Sequence, residues 1–312
     1  MDDIGIVIVT YNSRADIGAC LDAAGQSGAE IVVVDNASTD GTLGEVRIRG
    51  VRLVANTTNR GFAAAVNQGF AALATPYVLL LNPDAVLMGG LDSLCAACRI
   101  PGAAAAGGKL VDGEGRAQIG FMVRQLPTPL ILTLEVLLLN RIWPNNPVNR
   151  GYRGLQLNYN IQIPVEQPAG AFLMVRRAVW QELGGFDESF FPLWFEDVDF
   201  CRRALNGGHR LYYVPDAVAR HRGGHSISQL SVEKRRVYWY GSLLRYSAKH
   251  FRPGSFRGVC IAVVAGSLLR CLGETILQGS FRHLAAYGKV VRHASRCILF
   301  GWGDGAVPSG PG

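Results

Sequence analysis

Four apolar runs, regularly interrupted by helical stretches, constrain this chain more than any other feature. IGIVIV (4–9), EIVVVD (30–35), VRLVA (51–55) and YVLLLN (77–82) are continuous runs rich in β-branched residues, the pattern of strands covered on both faces. Between them, residues 14–25 have helical spacing. GFAAAVNQGFAALA (61–74) puts Phe62, Val66, Phe70 and Leu73 on one helical face. Such alternation predicts an α/β fold: a mostly parallel central sheet with helices on both faces and right-handed crossovers. With 312 residues, 49% hydrophobic and 18% charged, the chain can bury a large core and is not of the disordered class.

In open α/β sheets ligands bind beyond the carboxyl ends of the strands. Here the first strand ends in Thr10-Tyr11-Asn12 and the second in Asp35-Asn36, followed by ASTDGT. The third runs into Asn59-Arg60-Gly61, and the fourth ends in Asn82-Pro83-Asp84. Each is ordinary turn or cap chemistry alone. Four at one edge predict a site for a polar ligand. No GxGxxG follows the first strand and no GxxxxGK[ST] occurs, so the usual dinucleotide and P-loop cradles are excluded. The missing lysine-bearing loop also counts against a nucleotidyltransferase. A bound phosphate would need another neutralising partner, and a divalent cation held by Asp84 is the candidate.

The second half is read more coarsely. Residues 101–170 are rich in Gly, Pro and Asn around one apolar segment, LILTLEVLLLN (130–140), expected to be a helix. AGAFLMVRR (169–177) reads as a strand and AVWQELGGFD (178–187) as a short helix; RLYYV (210–214) and AVARH (217–221) read as two short strands. FFPLWFEDVDF (190–200) sets Glu196, Asp197 and Asp199 behind large apolar side chains. EDVDFCRRALNGG (196–208) predicts a helix with acids in its first turn. Asp199 is spaced to pair with Arg202 or Arg203 and reads as structural. Asp197 suits either a helix start or a base in a partly dry pocket.

From Arg222 to Arg296 there are thirteen Lys/Arg against two acids, a local +11; eighteen bases and twenty-two acids elsewhere leave −4. The cations alternate with apolar stretches such as GVCIAVVAGSLL (258–269) and LAAYGKVV (284–291). That mix points to helices on an anionic membrane surface rather than to nucleic acid. The run at 258–269 is well short of the ~20 residues that span a bilayer. Seven scattered cysteines and an N-terminus without a signal-peptide pattern suggest a reducing, cytoplasmic setting. Cys95 and Cys98, without a second pair at zinc spacing, read as helix packing. Residues 301–312 read as a disordered tail.

VTYNS (9–13), VDNASTDGT (34–42), NRGFAAAVNQG (59–69), LLLNPDA (79–85), GGFDESFF (184–191) and FEDVDFCRRA (195–204), in this order and spacing, resemble the inverting family 2 glycosyltransferases, within them the bacterial rhamnosyltransferase-like branch. The resemblance covers about residues 4–225. It implies a GT-A fold, Rossmann-like, over 1–228: a nucleotide-sugar-binding half (1–100) and an acceptor-binding half (101–228). A basic helical C-terminal extension (229–300) would follow. It implies a nucleoside-diphosphate sugar as donor, with Asp35 reading the base and Thr10 and Tyr11 lining the base pocket. Asn12, Asn36, Arg60, Gly61, Asn67 and Asn82 would complete the donor site.

By the same resemblance, Asp84 would hold Mg²⁺ or Mn²⁺ and Asp197 would be the general base. Trp194, Phe195 and Glu196 would face the acceptor. Asn82 stands where the family's metal motif usually has its first acid. His221 is the expected substitute metal ligand, with His225 in reserve. The implied activity is metal-dependent transfer of a sugar, L-rhamnose from dTDP-rhamnose being favoured, to a lipid-linked or polysaccharide acceptor in cell-wall or surface-polysaccharide synthesis. The chain would be peripheral on the inner face of the plasma membrane, and a homo-oligomer is compatible with it. The rival reading is a non-catalytic nucleotide-sugar-binding or scaffold protein of the same fold.

Overall fold

Each of the four apolar runs forms a strand in the computed structural model, which describes residues 3–223, 230–278 and 283–303. His225 and residues 304–312 of the expected tail lie outside the described residues. The chain opens with β1 (Ile4–Thr10), α1 (Arg14–Gly25), β2 (Glu30–Asp35), α2 (Thr42–Ile48), β3 (Arg52–Ala55), α3 (Phe62–Ala72) and β4 (Tyr77–Leu81). It continues with β5 (Ala85–Gly89), α4 (Leu91–Arg99), β6 (Ala103–Val111), β7 (Val123–Arg124), α5 (Pro129–Val136), α6 (Leu139–Ile142) and α7 (Pro147–Tyr152). Then come β8 (Ile163–Val165), β9 (Gln167–Pro168), β10 (Phe172–Arg176), α8 (Arg177–Glu182), α9 (Glu196–Asn206) and β11 (Arg210–His221). Three long helices follow: α10 (Val232–His250), α11 (Pro253–Gln278) and α12 (Leu284–Phe300).

The main sheet has the order β3-β2-β1-β4-β10-β6-β11-β5, with β8 on β11. β3, β2, β1 and β4 are mutually parallel, as their apolar runs predict. β10 is antiparallel to both β4 and β6, while β6 and β11 are parallel. β1 sits between β2 and β4, so the loops after β1 and β4 diverge. That is the switch point at which open sheets bind ligands.

β5 and β6 were not foreseen. AAAAGGKLV at β6 carries the composition of a helix or loop, since alanine favours helix and glycine disfavours strand. Close packing selects the small residues: a Cβ on Gly107 would lie 2.5 Å from Pro168, and one on Gly108 would run into the Phe172 ring. Three further expectations change in detail. The apolar segment 130–140 is two helices, broken where Leu138 takes φ 66°. The strands expected at 210–214 and 217–221 are one strand, irregular in register between Val214 and Val218. The run at 258–269 belongs to a helix of 26 residues, and Pro253–Leu277 is long and apolar enough, by length and composition, to cross a membrane. Cys95 and Cys98 are buried on α4, as expected of helix packing.

The chain divides into two compact units: residues 1–126 with 151–192 and 196–228, and residues 127–150 with 193–195 and 229–312. The first holds the sheet. In the second, α11 packs on α5, α10 and α12. Thus 127–150 and 193–195 group with the C-terminal helices rather than with the acceptor-binding half in which the sequence had put them.

Candidate active site

The loops after β1 and β2 are zipped together. Asn12, at φ 51°, accepts through Oδ1 from the Thr39 N–H (2.8 Å), and its own N–H donates to Ser38 Oγ (2.8 Å). Asp35 is wholly buried, and its carboxylate accepts from Thr10 Oγ1 (2.8 Å), Ser38 Oγ (2.5 Å) and the Ser38 N–H (2.9 Å). Asp35 and Thr10, expected to face a base, also brace the loop here. A buried carboxylate needs such donors to offset its lost hydration. Tyr11 is half-buried beside them.

Asn36 and Asn67 are likewise hydrogen-bonded within the fold. Asn36 donates to the Gly61 carbonyl (3.0 Å) and accepts from Asn56 (3.0 Å). Asn67 donates to the Phe186 carbonyl and accepts from the Phe186 N–H, latching α3 to the loop before Phe190. Gly61, at φ 85°, leaves room for Phe191, whose ring would lie 2.8 Å from a Cβ there. The Phe62 N–H donates to the Pro192 carbonyl (2.8 Å). Arg60 is exposed at the same edge.

At the end of β4, Asp84 meets His221. β5 begins at the next residue and pairs antiparallel with β11, setting His221 opposite Ala85. The carboxylate Oδ1 lies 3.5 Å from His221 Nε2, both side chains being almost fully buried, and Oδ2 accepts from the Gly223 N–H (3.1 Å). Burial alone would raise the Asp84 carboxyl; His221 and the Gly223 N–H outweigh it and hold the group below its ordinary value.

The imidazole is oriented from behind. Gln118 Nε2 donates to the His221 carbonyl (2.8 Å), which turns Gln118 Oε1 toward His221 Nδ1 (3.0 Å). Gln118 Oε1 is thus placed to accept from an Nδ1–H, and in the neutral tautomer that this favours Nε2 keeps a lone pair. Nε2 is buried and has no hydrogen-bond partner among the described residues. Phe121 stacks on the ring at 5.2 Å. An imidazole held in place beside a carboxylate is a hard-cation donor set with its outer support in place. Among the described residues no group of three or more His, Cys, Asp or Glu is placed to hold a metal, so these two would leave further positions to a ligand's own oxygens.

Asp197 reaches the same sheet end by another route. The Asn82 N–H donates to the Ala171 carbonyl (3.0 Å) where β4 meets β10, and the adjacent Gly170 N–H donates to Asp197 Oδ2 (3.0 Å). Asp197 Oδ1 accepts from the Val198 N–H (2.8 Å) at the start of α9. The residue is half-buried, and burial raises its carboxyl above the usual aspartate value, against the pull of these N–H groups and of the Arg124 charge. Glu196 is buried, with Oε2 unpartnered among the described residues. Burial first, then the charge of Asp197, pushes it well up.

Asp199 is structural, as its spacing predicts: it bonds Arg203 at 2.7 Å, and Arg203 also donates to the Leu183 and Gly185 carbonyls. Phe195, expected to stack on a sugar, is buried instead against Tyr246 and Trp239. Trp194 is half-buried, and both residues have left-handed backbone, at φ 77° and 72°. Gln118, Gly170 and Arg124 escaped the sequence reading. Gln118 and Arg124 lie in the aperiodic middle, where no pattern marks them. Gly170, a glycine directly before an apolar run, was the available hint of close approach.

Residues 5–116 match the model of the Glycosyl transferase family 2, and residues 155–242 that of the Glycosyltransferase like family 2. The N-acetylglucosaminyl-diphospho-decaprenol L-rhamnosyltransferase of Mycobacterium tuberculosis is 31% identical over 280 residues, 80% of this chain and 90% of that protein. The chain is a family 2 glycosyltransferase. Two solved structures share the fold of this glycosyltransferase. The mannosyltransferase PcManGT of Pyrobaculum calidifontis, in complex with GDP-Man and Mn²⁺, has a TM-score of 0.51 at 17% identity, covering 96% of this chain and 87% of that one. TarS 1-349 of S. aureus has a TM-score of 0.50 at 16% identity, covering 97% and 92%. The sheet is thus that of the GT-A fold.

Gly170 tests the placement of Asp197 in this family 2 glycosyltransferase. A Cβ there would lie 3.1 Å from Asp197 Cβ and 3.2 Å from Oδ2, too close without a shift. Gly170→Ala should lower turnover about tenfold or more, since small misplacements of a reacting group are costly. Donor affinity should hold. Steady-state kinetics with a calorimetric donor titration would separate the two.

Proposed function

We propose that this glycosyltransferase moves a sugar, L-rhamnose from dTDP-rhamnose, onto a hydroxyl of a lipid-linked or polysaccharide acceptor with inversion at the anomeric carbon. The observation that supports this reading is that the Asp84–His221 pair follows β4 while hydrogen bonds from Asn82 to Ala171 and from Gly170 to Asp197 tie Asp197 to the adjoining end of β10. The sugar is supported by the likeness to a rhamnosyltransferase.

The chemistry follows from these residues. The half-buried carboxylate of Asp197 accepts the proton of the acceptor hydroxyl. The freed oxygen forms a bond to the anomeric carbon as the bond to the diphosphate oxygen breaks, its electron pair leaving with the nucleoside diphosphate. A positioned base of this kind is worth about 10²–10⁴ in rate. Asp84 and His221 Nε2 fit a divalent cation, Mg²⁺ or Mn²⁺, which when bound stabilises negative charge on the departing diphosphate. The solved GT-A neighbour PcManGT, which contains Mn²⁺, supports that choice. In this reading Tyr11 and Arg60 contact the nucleotide, and Thr10 and Asp35 shape the pocket from beneath.

The same reading has the protein working in cell-wall or surface-polysaccharide synthesis at the inner face of the plasma membrane. The +11 segment and the decaprenol-linked name of the relative support it. A thermal-shift panel of nucleotide sugars, with and without Mn²⁺, is the test. dTDP-rhamnose with metal should give the largest rise, since a ligand at ~100 times its Kd stabilises by about 2.7 kcal/mol. A larger shift from another donor would replace the sugar; no metal-dependent shift from any donor would sink the site.

A further inference from the structure

Helix α11 is dressed the wrong way round for water. From Gly258 to Leu277 its only charged residues are Arg270 and Glu274, and both turn to protein. Arg270 donates to the Glu135 carbonyl (2.9 Å). Glu274 accepts from Arg236 through both oxygens (2.7 Å each) and from the Tyr287 hydroxyl (2.9 Å). Val259, Val263 and Ser267 are buried on that side, and Gly266 is pressed on the Val136 carbonyl so closely that a Cβ there would clash.

The opposite side is apolar and open. Ile261, Leu268, Leu269, Leu272 and Ile276 are 56–71% exposed, and at helical spacing they fall within an arc of about 100°. A helix facing water carries its charges outward. From Gly258 to Leu277 this one carries them inward, with the exposed Arg257 one turn before Ile261, and a row of large aliphatic side chains is left uncovered.

The neighbouring α12 indicates what covers the row. It packs on α11, and its exposed residues include Arg292 and Arg296, ending in Leu299 and Phe300. Two cations one turn apart suit anionic headgroups and do not suit hydrocarbon. Thus α11, though long enough to span, is partnered by a helix that belongs at the interface.

We propose that the outer face of α11 seats the protein in the plane of an anionic bilayer, its aliphatic row in the acyl boundary and Arg292 and Arg296 among the phosphates. This deepens the membrane part of the reading above and rests on it only for biological purpose; the seating does not depend on transfer.

The full-length chain should co-float with phosphatidylcholine vesicles that contain phosphatidylglycerol, weakly with phosphatidylcholine alone, and detach in high salt or alkaline carbonate. Arg292→Gln with Arg296→Gln should weaken partition about 30-fold. Leu268→Glu with Leu272→Glu should abolish it with the thermal melt unchanged, both positions being exposed. The wild-type salt titration stands whether or not a variant folds.

A lipid-free dimer that the leucine changes dissociate, without flotation, would make the row a contact between copies and overturn the proposal. Resistance to carbonate would make α11 a spanning helix and overturn it too. Flotation without transfer to any acceptor would sink the functional reading and leave the seating standing; transfer to a water-soluble acceptor without flotation would do the reverse.

Discussion

Asp197→Asn is expected to leave donor binding intact and lower the transfer rate about 10²–10⁴-fold. The substitution keeps the side chain's size, so α9 and the loop at Gly170 should stay put, and the amide oxygen can still accept one of the two N–H bonds. What it loses is the capacity to take a proton.

The pH profile offers a second reading of the same group. Burial raises the Asp197 carboxyl, and the base works only when ionised. Activity should therefore fall on the acid side at a pH above the ordinary aspartate range, and the variant should lack that limb. Donor affinity measured by calorimetry alongside single-turnover rates decides the matter. A variant with wild-type turnover would remove Asp197 from the chemistry and leave it the first-turn acid of a helix.

Asp84→Asn should cost about 100-fold in Mn²⁺-dependent donor affinity, because a neutral amide forfeits the charge that draws a hard cation. His221→Ala should act in the same direction. Gln118→Ala, which touches neither ligand's metal-facing atom, should cost about 10–100-fold by freeing the imidazole to turn. Calorimetric titration of Mn²⁺ at saturating donor checks all three. The competing account is a buried ion pair that merely ties β4 to β11. In that case the melting temperature would drop and the metal titration would not move. The graded response of Gln118 distinguishes the two, since a residue that only packs has no reason to change metal affinity.

Much of the site was legible before any coordinates. The four polar strand ends and the acid at Asp84 were read from residue type and position; the roles of Asp197 and His221 came from the family likeness. Burial was not legible. Asp35 and Thr10 were expected at the base by the family likeness. In the fold the same pair closes on Ser38 and is sealed from solvent. Phe195 looks like a sugar platform because it precedes the acids; its left-handed backbone turns it onto Tyr246 and Trp239.

The sequence by itself determined the parallel core β3-β2-β1-β4 and the edge at which polar groups gather. Those follow from local rules: period, branching, and the turn residues that must end a strand. Only the tertiary structure decided that Asp84 faces His221, that a glycine at 170 hands Asp197 its hydrogen bond, and that α11 turns its charges inward. Such facts depend on which distant strands pair and which helix covers which. β5 against β11 and β10 against β4 join residues more than ninety positions apart, and no local pattern along the chain encodes such a pairing.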